Sequence, residues 1–199
     1  MAYYIRVLSP STDVVPYSDL RRELTAEHHN AALSIDGGSD AEWDQLLLSH
    51  LGGSEIAVVE RNSEGDLLSG EIEEFLEEIG DYQPLSSVGW LRQYLPAVRT
   101  IYAFQILSGV ESESGWETLG TLKSSLWRHA SGIIQADGEG FTNDAGYHIL
   151  WQFSDSAAGE WWMGVLELGR WIHFKMDLGN EEHRQAFFRG TVPPGVERA

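Results

Sequence analysis

The spacing of apolar residues along this chain switches between a two-residue and a helical period, and the switches predict an α+β protein. Residues 3–8, Tyr-Tyr-Ile-Arg-Val-Leu, are aromatic and β-branched and stop at Ser9-Pro10, which predicts a strand. Leu20 and Leu24 lie four apart after Pro16, so a short helix is expected over 18–27, with Ser18 placed to cap it. Strands follow over 31–35, 45–50 and 55–61. The first ends at Asp36-Gly37-Gly38, and the other two flank Leu51-Gly52-Gly53-Ser54, a good hairpin connection.

The middle of the chain is helical in pattern. Ile72, Phe75, Leu76 and Ile79 recur at helical spacing, glutamates take the opposite face, and Gly80 ends the run. A second helix over 87–95 presents Val88, Leu91 and Leu95 and stops at Pro96. A strand over 100–107 comes next. Ser114-Gly115-Trp116-Glu117 then reads as a capping box for a helix whose Trp116, Leu119, Leu122, Leu126, Trp127 and Ala130 form one stripe expected to be buried. Residues 133–137 read as a strand ending in the turn-rich Gly138-Glu139-Gly140, and further strands are expected near 147–153, 161–168 and 171–177. Asn180 looks like the cap of a last helix that has Arg189 in its final turn and Gly190 just past it.

The order β-α-β-β-β occurs twice in this reading. Residues 31–37 and 133–138 each follow a helix, end in Asp-Gly and lead into a hairpin. The expectation is therefore an internal duplication with mainly antiparallel sheets: an N-terminal unit over 1–67, an acidic helical connector over 68–96 and a C-terminal unit over 97–199, in which the last helix closes the chain.

Charge sharpens the picture of partners. The 199 residues carry 13 Lys and Arg against 31 Asp and Glu, a formal charge of −18. Affinity for nucleic-acid phosphates comes from Lys and Arg displacing counterions, so a nucleic-acid partner is not expected and a basic protein is the natural alternative. The carboxylates are concentrated: Glu60, Glu64, Asp66, Glu71, Glu73, Glu74, Glu77, Glu78 and Asp81 fall in one stretch with Arg61 as its single base. No cysteine is present, which rules out thiolate metal sites, disulfides and cysteine nucleophiles. The opening residues read as a strand and not as a signal peptide, and no apolar run approaches the roughly 20 residues that cross a bilayer, so the cytoplasm is the expected compartment and no membrane partner is expected.

Motifs that encode a reaction are missing. The sequence has no G-x-x-x-x-G-K-[ST], G-x-G-x-x-G after a strand, H-E-x-x-H or G-x-S-x-G, so no cofactor is expected. The segment from Asp137 to Asp144 is rich in side-chain oxygen, but a calcium loop starting at Asp137 would have Phe141, Thr142 and His148 at its fifth, sixth and twelfth positions; it reads as a turn between strands. His28 and His29 diverge on one backbone step and suit a helix end better than a metal.

Two surfaces remain as candidates. In 171–177 the two-residue period puts Ile172, Phe174, Met176 and Leu178 on a core face and Trp171, His173, Lys175 and Asp177 on the other. In 147–153 Tyr147, Ile149, Trp151 and Phe153 form the apolar set, with His148 and Gln152 opposite. If the polar sets share a face, Asp137, His148 and His173 come together beside Lys175 and Trp171, where an Asp–His pair would suit acid–base chemistry or a small ligand, and two His a metal. Consecutive Trp161 and Trp162 must project to opposite faces, so one is either covered by a helix or exposed. The leading expectation is a non-enzymatic module that binds a basic protein, as an immunity protein neutralises a toxin. Its candidate contacts are Glu71, Glu74, Glu77, Glu78, Trp162, Trp171, His173 and Lys175; the alternative is an enzyme or small-molecule binder using Asp137, His148 and His173.

Overall fold

A computed structural model describes residues 3–28 and 30–199; His29 of the His28–His29 pair lies outside the described residues. In chain order the elements are β1 (Tyr4–Ser9), α1 (Tyr17–Glu27), β2 (Ala31–Ile35), β3 (Gln45–His50), β4 (Glu55–Asn62), α2 (Asp66–Glu78), α3 (Leu85–Tyr94), β5 (Thr100–Ile106), α4 (Gly115–Ala130), β6 (Ile133–Ala136), β7 (Gly140–Thr142), β8 (His148–Trp151), β9 (Glu160–Glu167), β10 (Arg170–Asp177), α5 (Glu181–Phe188) and β11 (Glu197–Arg198). The fold class is α+β with mainly antiparallel strands. No helix among the described residues is long and apolar enough to cross a membrane.

These elements make two compact units that do not follow chain order. Unit 1 holds Met1–Leu68 together with Val98–Gly132, and unit 2 holds Ser69–Ala97 together with Ile133–Ala199. This departs from the boundaries expected at 67/68 and 96/97. Residues 98–132, expected to open the C-terminal unit, pack in unit 1, and most of the expected connector packs in unit 2. The order β-α-β-β-β does recur as β5-α4-β6-β7-β8, yet that second run is divided between the units. It does not close on itself as a compact copy of the first.

Unit 1 is a five-stranded antiparallel sheet in the order β2-β3-β4-β5-β1. Leu20 and Leu24 of α1 and Leu119, Leu122 and Leu126 of α4 are fully or almost fully buried. Trp43 is also fully buried, with its indole N–H donating to the Val15 carbonyl at 2.8 Å, so the one polar atom of the ring is satisfied. Two expected caps are corrected. Ser18 lies inside α1, and the Asp40 carboxylate accepts from its amide at 2.7 Å, so the free helix-start donor is met by a residue far along the chain. Ser114 is the residue before α4, but its ψ of 4° is outside the extended region and its side chain makes no capping hydrogen bond. The expected α4 stripe is buried at Leu119, Leu122, Leu126 and Ala130 and half-buried at Trp127, with one departure. Trp116 is 54% exposed, while Thr118 and Ser125 are buried because their hydroxyls meet His28 and Glu23 of the α1 segment.

Unit 2 is a six-stranded sheet in the order β6-β7-β8-β9-β10-β11, antiparallel except where β8 meets β9 in parallel. The turn-rich segment after β6 contains a three-residue strand, β7, that composition hides. The turns themselves are of the expected kind: Gly138 and Gly140 have φ of 71° and 117°, and the Asn143 side-chain oxygen accepts from the amides of Ala145 and Tyr147. Asn180 caps α5, accepting from Glu182 and His183 amides at 2.9 and 3.3 Å, and Gly190 follows at φ 72°.

Candidate functional site

The register of β9 and β10 assigns the faces of unit 2. Lys175 pairs with Trp162, His173 with Gly164 and Trp171 with Leu166, so these six share one face; Met163, Val165, Phe174 and Met176 share the other. The second face is the core. It packs with Leu178, with Trp151 and with Phe187 of α5, and half-buried Trp161 and Phe153 line it. Trp161 is therefore the covered member of the tryptophan pair, and Trp162 is the open one at 38% exposure.

His148 belongs to the core face, against expectation. It is 3% exposed, its ring lies 4.7 Å from Phe153 and 5.8 Å from Trp161, and its Cα partner on β9 is Met163. The cause is a break in the alternation of β8. Thr142 of β7 faces His148 while Phe141 faces Leu150, so Ile149 has no partner of its own. Such a bulge brings His148 and Trp151, three residues apart, to one face; both rings touch Phe153. Nε2 of His148 donates to the Glu139 carbonyl at 2.9 Å, and the Thr142 hydroxyl lies 3.4 Å from Nδ1. Burial pushes its pKa down to about 4, so the ring is a neutral, hydrogen-bonded core group.

The expected Asp137–His148–His173 constellation is therefore not assembled. His148 and His173 project from opposite faces of the sheet, and Asp137 sits past the end of β6 with the Gln135 amide 3.5 Å from its carboxylate. Proximity to a carboxylate cannot tune His148 as a base, and the two imidazoles cannot share a metal.

His173 has a different set of neighbours. Its ring stacks on Tyr147 with centroids 3.6 Å apart and planes within 2°, and Trp162 meets Tyr147 at 5.9 Å and 85°. Tyr147 was expected in the core set; it is half-buried on the open face. The turn before it positions it, since the Asn143 side-chain oxygen accepts from its amide at 2.9 Å. That bond also orients the Asn143 amide, whose nitrogen points at Nε2 of His173 at 3.4 Å. An amide nitrogen only donates, so Nε2 accepts and His173 is the neutral tautomer with its proton on Nδ1. Burial lowers the His173 pKa in the same sense, opposed by the nearby Asp144 carboxylate. A side-chain carbon at Gly164, opposite His173, would stand 3.4 Å from His173 and Ile149 and 3.5 Å from Tyr147, in ordinary contact with the stack.

Around this stack lie the remaining candidates. Lys175 donates to Glu160 at 2.6 Å, and that bond raises its pKa. Trp171 is covered in part by α3, whose Trp90 packs edge-on at 5.4 Å and stacks in turn on Tyr94. Tyr94 is pushed up to about 12, first by burial and then by Asp144, so it stays a phenol. On α2, Phe75 is buried edge-on against Phe141, which turns Glu73, Glu74 and Glu77 to solvent; Glu78 accepts from the Gln152 amide at 3.0 Å, and Glu71 is half-buried. The charge of α2 and the alternation of β10 were legible in the sequence. The roles of Tyr147, Asn143, Asp144 and Glu160 were not, because they depend on which strands pair.

Unit 1 contains a separate cavity of about 220 Å³ lined by Glu27, His28, Asn30, Ala31, His50, Ser114 and Thr118. Its imidazoles are engaged in the fold: His28 bonds the Thr121 hydroxyl at 2.9 Å and His50 the Ser112 hydroxyl at 2.7 Å. The Ser112 hydroxyl also lies 2.9 Å from the Gly109 carbonyl. Comparison with family models, curated proteins and solved structures finds no match to this chain.

Proposed function

We propose that this chain is a protein-binding module whose partner is basic, engaged through the glutamates of α2 and the aromatic face of β9 and β10. The observation that carries the reading is the open face of unit 2, where Trp162 stays 38% exposed beside a preorganised Tyr147–His173 stack. Exposed tryptophan is enriched among residues that anchor interfaces, and a rigid ring loses little entropy on binding. Glu73, Glu74 and Glu77 add an exposed carboxylate surface on the same unit, and such a surface speeds capture of a positive target and favours its register. Neutralisation of a basic toxin is the concrete form of this role.

The test is to recover the tagged chain from its native host at low and at moderate salt and identify what accompanies it. The expected result is a stoichiometric basic protein that is released as salt rises and is lost when Glu73, Glu74, Glu77 and Glu78 are all changed to Lys. Undiminished recovery with that variant overturns the role of the acidic helix.

A further inference from the structure

We infer that the corner between Trp162 and Tyr147 is a seat for an arginine side chain of the partner; this rests on the protein-binding reading above and names its anchor. The two rings meet at 85° with centroids 5.9 Å apart, so they wall two sides of one corner. Both walls stand on ordered backbone. Tyr147 is clamped on one face by the parallel His173 ring at 3.6 Å and held at its backbone by Asn143, and Trp162 lies in the middle of β9 opposite Lys175. A guanidinium is planar, weakly hydrated and able to lie flat on an indole, whereas an ammonium is compact and strongly hydrated, so this seat favours Arg over Lys.

The charges nearby fit a cation. Lys175, which faces Trp162 across the strand pair, has its ammonium engaged by Glu160 at 2.6 Å. Glu197 also acts on Lys175 and Asp144 acts on His173, so the charges that act on these two neighbours of the corner are carboxylates. His173 adds no positive charge as a neutral acceptor of the Asn143 amide. An anionic or purely apolar occupant would face these carboxylates, and the chain as a whole carries −18.

The probe is a capped hexa-arginine peptide, compared at pH 7 and low salt with hexa-lysine of equal charge, by calorimetric titration of the full chain. Wild type is expected to bind the arginine peptide more tightly by roughly two- to five-fold, the span of an exposed cation–π contact. Trp162→Ala is expected to bring the arginine peptide down to the lysine level and leave the lysine peptide unchanged, and Trp162→Tyr to restore part of the preference. Equal binding of both peptides by wild type, or an arginine preference that survives Trp162→Ala, overturns the seat. The reading beneath it fails separately: if neither peptide binds, or if both bind the variant with Glu73, Glu74, Glu77 and Glu78 changed to Lys as tightly as they bind wild type, the acidic surface is not a cation-binding one.

Discussion

A histidine sealed in a core is a liability in acid, and His148 shows how large that liability is. Its folded-state pKa is about 4 against an ordinary 6.5. Above pH 6.5 both folded and unfolded chains hold it neutral. Between 6.5 and 4 the unfolded chain takes up a proton that the folded one refuses, so stability falls as pH falls through that window and levels off below it. The gap corresponds to about 3 kcal/mol. We therefore expect urea denaturation at pH 7, 5.5 and 4 to show a loss of that order that is absent from His148→Gln, whose amide can still donate to the Glu139 carbonyl. An equal acid loss in wild type and variant would assign the sensitivity elsewhere. His173 shows the contrast between one residue and another of the same type: it is half-exposed, and its neutrality comes from the Asn143 amide as well as from burial.

Elements are held at their ends as much as along their faces. α5 begins with a side-chain cap from Asn180 to two amides, whereas Ser114 stands at the start of α4 without one. Asn180→Ala is expected to cost about 1 kcal/mol and Ser114→Ala close to nothing, measured by thermal or urea unfolding. Equal losses would mean that the Ser114 hydroxyl caps after all. α1 is capped from Asp40, which ties the helix start to the loop that precedes β3 and makes a local element depend on tertiary folding. The α4 face makes a similar point, since Thr118 and Ser125 are buried through hydroxyl contacts that a count of apolar residues overlooks.

For the molecule, the chief consequence of the fold is that neither unit is a continuous stretch of chain. Val98–Gly132 completes unit 1, where Leu119, Leu122 and Leu126 of α4 are buried. A fragment of residues 97–199 would carry those leucines without the partner surfaces of unit 1, and burying each contributes about 1.5–3 kcal/mol. Such a fragment is expected to show no cooperative thermal transition by circular dichroism and to aggregate, while the full chain unfolds cooperatively. A sharp transition in the fragment would show that α4 finds an equivalent core without unit 1. Net charge belongs to this scale too: at −18 the chain would attract any positively charged molecule over a Debye length of about 8 Å at physiological salt, and that attraction would weaken as salt is added.

What the sequence by itself determined was most of the elements and their turns, the short strands β7 and β11 excepted. Periodicity, Gly and Asn placement and the Asn180 cap are local, so the α+β class, the α2 glutamate face, the inward set of Phe174, Met176 and Leu178 and the opposed projections of Trp161 and Trp162 could all be read before any pairing was known. Pairing itself is not local. One unpartnered residue, Ile149, carried His148 into the core and removed it from His173, because every face assignment beyond a bulge shifts with it. The tertiary structure alone decided that Tyr147 stacks on His173, that Asp40 caps α1, that residues 98–132 belong with the N-terminal strands and that Trp162 rather than Trp161 is the open member of that pair, since each depends on residues distant in sequence meeting in space.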